Sequence, residues 1–355
     1  MLKGQKIEEL ASQVIGMSAQ RADYIVPMEK FRMEKDDPSG VSVILSENSG
    51  LSTVFSPTNI FHRQLSTFLK VPGPFYDRLQ AYYPALLCDT VNTLRADSNG
   101  EKRMVRTVGP QARAFLSSRY RRLDNIDLLE YILPELIGKD LRIISCQLTE
   151  ARLYIKFVSL NVEGEVKTGD LVSAGGVISN SEVGLGSVNV YPFILRKVCD
   201  NGAILNQLGQ KKYHVGRNIP TLEDGAVELY ASDTLKADDK AFWLKARDLV
   251  RATVEQVQFD KLLERMREST NQKIEGKPED VVVKLADRNL LNEDQRDSIL
   301  RHLIDDGVGL SAYGLMNAVT SVAGEQTDYT ESTRLEAIGG SIISLNKSQW
   351  QEIAA

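Results

Sequence analysis

The spacing of apolar residues changes twice along this chain. Phe61, Leu65, Phe68 and Leu69 recur at helical spacing, as do Leu87, Val91 and Leu94, which is how one face of an α-helix repeats. Ser56-Pro57 offers a cap and a first-turn proline for the first helix, and prolines at 72, 74 and 84 divide the next stretch into two short helices. The first hundred residues are predicted to be mainly helical beyond a short extended lead-in.

From roughly 103 to 230 the period shortens to two. In ARLYIKFV, Ala151, Leu153, Ile155 and Phe157 alternate with Arg152, Tyr154 and Lys156, which predicts a half-exposed strand. GDLVSAGGVIS and SVNVYPFILRKV predict two more, with Pro192 at an edge or a bulge. RMVRTVGPQARAFLSS holds two short runs around a Gly109-Pro110 turn. A helix over 112–123 would place Arg119 inside its apolar stripe, between Phe115 and Leu123, where an unpaired guanidinium is costly. A strand over 112–117 avoids this and leaves Arg119, Arg121 and Arg122 in the following loop. DNIDLLEYILPEL then predicts a helix capped by Asp124 or Asn125 and kinked or ended at Pro134.

Beyond about 236 the helical period returns. Phe242 to Met266 predicts one long amphipathic helix, TNQKIEGKP a polar break, and Asn292–Gln295 a capping box. Gly307 would close that helix and Ser311 would start the next. The expected fold is α+β, a central antiparallel sheet flanked by N-terminal and C-terminal helices. Its parts are a mainly helical 1–100, a sheet core with an arginine-rich hairpin over 101–235, and a helical 236–355.

Composition narrows the chemistry. Three scattered cysteines without a Cys-x-x-Cys pair argue against a disulfide framework and for a reducing, cytoplasmic setting. No apolar window is long enough to span a bilayer. His62, His214 and His302 form no zinc motif, and no phosphate loop, nucleophile turn or dinucleotide fingerprint occurs. No catalytic residue, metal site or cofactor is expected. The pairs Asp238-Asp239 and Asp305-Asp306 are expected to cap or end helices and face solvent.

Charge then singles out one stretch. The net charge is −5, yet 101–122 holds Lys102, Arg103, Arg106, Arg113, Arg119, Arg121 and Arg122 against Glu101 alone. Either acids elsewhere, such as Asp124 or Asp127, pair with these groups, or the cations are left to hold phosphates, for which the guanidinium fork is suited. Phe115, Tyr120, Tyr154, Tyr191 and Tyr213 lie nearby in sequence or on neighbouring strands, and Lys211, Lys212, His214 and Arg217 form a second basic group. Cations mixed with stacking rings on an open sheet suit single-stranded nucleic acid.

RAFLSSRYRRLDN, followed by ISNSEVGLGSVNVYPFILRKVCDNGAI, resembles the phage- and plasmid-encoded family known as domain of unknown function 932. The likeness spans roughly 55 to 325, from the YDRL segment (Tyr76 to Leu79) and Pro84 to a late YGLMNAVT helix, where Tyr313 stands in place of a tryptophan common in relatives. The matching motif positions are Arg113, Phe115, Ser117, Arg119, Tyr120, Asn125, Asn180, Ser181, Glu182, Gly184, Cys199, Asn201 and Gly202. Taken residue by residue, Asn180-Ser181 also fits a turn bonded to its own backbone, Asn201-Gly202 a hairpin turn, and Cys199 a small buried hydrophobe. Glu182 is placed to neutralise Arg113 or Arg119, or to ligate a divalent ion. The resemblance implies a mobile-element setting.

Together these features lead to the expectation of a nucleic-acid-binding protein, a single-strand binding or annealing module that forms homo-oligomers. Arg103, Arg106, Arg113, Arg119, Tyr120, Arg121, Arg122, Lys211, Lys212 and Arg217 would make the contacts. The alternative is a factor that binds a host defence or replication protein. A hydrolase using Glu182 is a third reading.

Overall fold

A computed structural model describes residues 1–36, 40–46, 50–98, 100–138, 140–205 and 232–354. Helix α1 (Ile7–Gln20) runs into strands β1 (Arg21–Pro27), β2 (Phe31–Asp36), β3 (Gly40–Ser46) and β4 (Ser52–Pro57). Helices α2 (Asn59–Phe68), α3 (Gly73–Tyr82) and α4 (Pro84–Leu94) precede the hairpin β5 (Lys102–Val108) and β6 (Gln111–Ser117). These six strands form one sheet in the order β1-β5-β6-β4-β3-β2, antiparallel apart from a short parallel β4–β6 pairing.

The arginine-rich hairpin is therefore central to a sheet whose other strands come from the stretch predicted to be mainly helical. Short runs rich in β-branched residues, VSVILS and STVFSP, carry that strand signal. Ser56-Pro57 ends β4 instead of starting a helix. Thr58 caps α2, its hydroxyl accepting the Phe61 N–H.

Helix α5 (Asn125–Ile137) leads to a second, five-stranded antiparallel sheet in the order β11-β10-β9-β8-β7. Its strands are β7 (Leu141–Leu148), β8 (Leu153–Glu165), β9 (Leu171–Asn180), β10 (Asn189–Arg196) and β11 (Asn201–Ile204). Among the described residues seven helices follow: α6 (Ser232–Ala252), α7 (Gln256–Asn271), α8 (Pro278–Asn289), α9 (Glu293–Asp305), α10 (Ala312–Glu325), α11 (Tyr329–Ile342) and α12 (Lys347–Ala354). The fold is α+β, with helices at both ends and two sheets between them. The long helix predicted through Met266 is broken after Ala252, where buried Thr253 turns its hydroxyl onto the Val250 carbonyl. Asn292 and Ser311 cap α9 and α10 as their sequence predicts.

The first half of β8, residues 153–159, is buried on both faces, not half-exposed. Leu153, Ile155 and Phe157 pack with α1, α5 and α6, through Leu10, Leu128 and Trp243. Lys156 faces the other way, is fully buried, and meets the equally buried Glu336 of α11 at 2.5 Å. The polar half of an alternating pattern here marks a buried ion pair.

Asn201-Gly202 is not the turn. Asp200 holds the positive φ, while Gly202 lies inside β11, where a Cβ would sit 2.0 Å from the Phe193 ring. The glycine makes room for that ring. Cys199 is exposed at this turn, beside the Arg196 guanidinium, since a four-residue connection leaves nothing to cover it. Among the described residues no helix is long and apolar enough to cross a membrane.

Candidate functional site

The two central motifs meet at the N-terminus of α5. The β1–β5 register sets Asp23 opposite Arg106. Arg106 Nε and Nη2 donate to the two Asp23 carboxylate oxygens at 2.8 and 2.9 Å, and Nη1 donates to Asp124 at 2.9 Å and to the Glu182 carbonyl at 3.1 Å. Asp124 also holds Arg21 at 2.9 Å, and Asp23 also holds Arg122 at 3.1 Å. Asp124 is the N-cap residue but makes no capping bond with its side chain. Glu182 fills that role from another segment, its Oε1 accepting the Asn125 N–H at 2.7 Å. Its charge faces the positive end of the helix.

Arg106 is fully buried and its guanidinium satisfied. Burial pulls its pKa down, but the Asp23 hydrogen bonds with Asp124 and Glu182 outweigh that and raise it. Arg113 is also buried, with weaker compensation. Its Nη2 donates to the Glu150 carbonyl at 2.8 Å, while Nη1 lies 3.8 Å from Glu182. Burial pushes its pKa down, and Glu182 and Glu150 offset this only in part.

The expectation of cations left open on a sheet face is therefore corrected for most of the cluster. Arg121 is held by Asp238 and Asp239 of α6 at 3.0 and 2.7 Å, beside the Phe242 ring, so that acidic pair grips an arginine instead of ending a helix. Arg103 lies over the Phe68 and Phe115 rings, with Glu101 at 3.4 Å. Arg122 is half-exposed, and Arg119 is exposed with no ion pair among the described residues. Lys211, Lys212 and Arg217, with Tyr213 and His214, lie outside the described residues. Apart from Arg103 with Glu101, these pairs share one physical reason. Folding brings carboxylates from β1, the α5 cap and α6 against a segment that has almost none of its own.

The remaining motif residues serve the same junction. Tyr120 donates its hydroxyl to the Ser181 carbonyl at 3.0 Å. Asn180 donates to the Leu123 carbonyl and to Asn125 Oδ1, both at 2.9 Å, so its side chain ties β9 to α5 instead of closing a local turn. Ser181 donates to the Ala151 carbonyl and accepts the Leu185 N–H. Gly184 has φ +75°, and a Cβ there would meet Leu116 at 2.5 Å. Ser117 accepts the Arg119 N–H. Phe115 belongs to the core against Phe31 and Phe61, Tyr154 is buried against Tyr329, and Asn201 donates to Ser321. Sequence reasoning missed Arg21 and Asp23. Their only local signal is charge interrupting the extended RADYIVP.

A different surface stands open. Phe75, Tyr82, Tyr83 and Leu86 on α3, α4 and their junction are each about half exposed or more, Tyr82 at 75%. Arg78 is exposed on the same α3 stripe as Phe75 and Tyr82, and Arg63 pairs with Asp77 at 2.9 Å alongside. Among the described residues no group of three or more His, Cys, Asp or Glu could hold a metal ion. No family model matches the chain, and no curated protein or solved structure is similar to it.

Proposed function

We propose that this chain is a binding protein whose arginine-rich motifs build its own centre, and that it engages another protein through the α3–α4 face. One observation carries the reading: large apolar side chains stand open on adjoining helices. Tyr and Arg are typical anchors of protein interfaces. The charges of α2 to α4 nearly balance, with Arg63, Lys70 and Arg78 against Asp77 and Asp89. That balance suits a protein partner better than a polyanion. The mobile-element resemblance makes a host defence or replication protein the class of partner.

A single-stranded nucleic acid is the second reading, favoured by exposed Arg119, half-exposed Arg122 and the stacking capacity of the same rings. The test compares the wild-type chain with a Phe75→Ser/Tyr82→Ser variant of unchanged thermal midpoint. The protein reading requires one stoichiometric host protein, then purified and titrated, whose affinity falls at least about tenfold in the variant. Equal affinity in both proteins overturns it. Light scattering reports whether a second copy occupies the face instead. Salt-sensitive binding of labelled single strands, weakened by Arg119→Ala/Arg122→Ala, establishes the second reading.

A further inference from the structure

We propose that the cleft between α1, the β5–β6 hairpin and the β7–β8 turn is a binding site for a nucleoside monophosphate. The cleft has a volume of about 460 Å³, within the range of small-ligand sites. Arg113 lines it from β6, and its side chain is more than nine-tenths buried. Among the described residues only its Nη2 donates a hydrogen bond, to a backbone carbonyl. The nearest carboxylate oxygen is 3.8 Å away, and the other oxygen of that carboxylate is committed to the Asn125 N–H. Its other N–H groups are not sealed in the interior, and on this cleft wall a planar oxyanion fills two of them at once. Arg106, a few residues earlier, has no such shortage.

The rest of the lining suits what a nucleotide adds to its phosphate. Gln13 and Gln20 from α1 and Gln111 from β6 bring three amides to the rim. Gln13 accepts from Gln5, which leaves its own amide N–H groups to donate. Amides read the donor and acceptor pattern of a base edge. Met17 supplies an apolar surface for a flat ring. Glu150, exposed at the mouth, can accept from sugar hydroxyls. Arg113 is the one cation among the lining residues, so the cleft offers a donor fork for a single phosphate group.

The test is isothermal titration of the full chain with AMP, GMP, CMP, UMP, adenosine and inorganic phosphate. At least one nucleoside monophosphate should bind saturably at sub-millimolar concentration and raise the unfolding midpoint. Gln111→Leu, on the exposed rim, should weaken it about tenfold with the unliganded midpoint unchanged. Arg113→Lys keeps the charge, loses the fork, and should weaken it at least as much. No saturable binding at millimolar concentrations overturns the proposal, as does affinity unmoved by Gln111→Leu. Inorganic phosphate binding as tightly as every nucleotide overturns the ligand assignment.

Discussion

Glu182 caps α5 across a separation of 57 residues, its Oε1 taking the Asn125 N–H at 2.7 Å. The two RAFLSSRYRRLDN and NSEVG motifs are one structural unit because of this bond. Glu182→Ala should cost about 3–5 kcal/mol, since it removes the cap and leaves Arg21 and Arg113 short of charge. Glu182→Gln keeps an acceptor and should cost about 1–3 kcal/mol. Urea denaturation measures both, and a loss under about 0.5 kcal/mol for the alanine variant would contradict the capping role.

Arg106 and Arg119 sit in one basic stretch but carry opposite expectations. Arg106→Met removes the buried guanidinium that Asp23 and Asp124 share, leaving them only the outer cations Arg122 and Arg21, and should cost about 3–5 kcal/mol. Arg119→Ala removes an exposed side chain and should stay within about 0.5 kcal/mol. Equal effects would mean that the network does not hold the sheet to α5.

Lys156 and Glu336 form the other buried pair, and Lys156 also lies 4.7 Å from the centre of the Tyr329 ring. One Glu336 oxygen has no hydrogen-bond partner among the described residues. Lys156→Met alone should cost about 3–5 kcal/mol, because Glu336 is left buried and unpaired. Lys156→Met with Glu336→Leu should recover more than half of that, and a double-mutant cycle gives the coupling. Additive losses would refute the pairing as the reason for the single-variant cost.

His62 makes stability fall in acid. It is buried with Nδ1 2.9 Å from the Tyr76 hydroxyl, and burial pushes its pKa down to about 4 despite Asp77. The unfolded histidine titrates near pH 6.5. Between these values the unfolded chain binds a proton that the folded one refuses. The contribution, about 3 kcal/mol, is present above pH 6.5 and lost as pH falls towards 4. His302 has the opposite sign. Burial lowers its pKa, but Glu325 and Asp306 outweigh that and raise it, so its contribution fades as pH rises through the raised value. Denaturation of His62→Phe across this range should show a flatter acid limb. An unchanged slope would assign the acid loss to other groups.

The β5–β6 hairpin and the caps at Asn292 and Ser311 were legible because each depends on residues within a few positions, whereas α5 starts where expected but takes its capping side chain from Glu182. Strands β1 to β4 were obscured by the stronger helical period after them, since short strands carry weak local patterns. Lys156 looked solvent-facing because alternation reports chemistry, not what later packs on the polar side.

The amino-acid order alone determined the α+β class, the β5–β6 hairpin and the gathering of arginines in and just after it. These come from local spacing, capping chemistry and charge count. Only the tertiary structure decided what the arginines do. Asp23, Asp124, Glu182 and Asp239 reach them from four separate segments. A buried cation is stable only beside its counter-charge, and of these partners Asp124 alone adjoins the arginines in sequence.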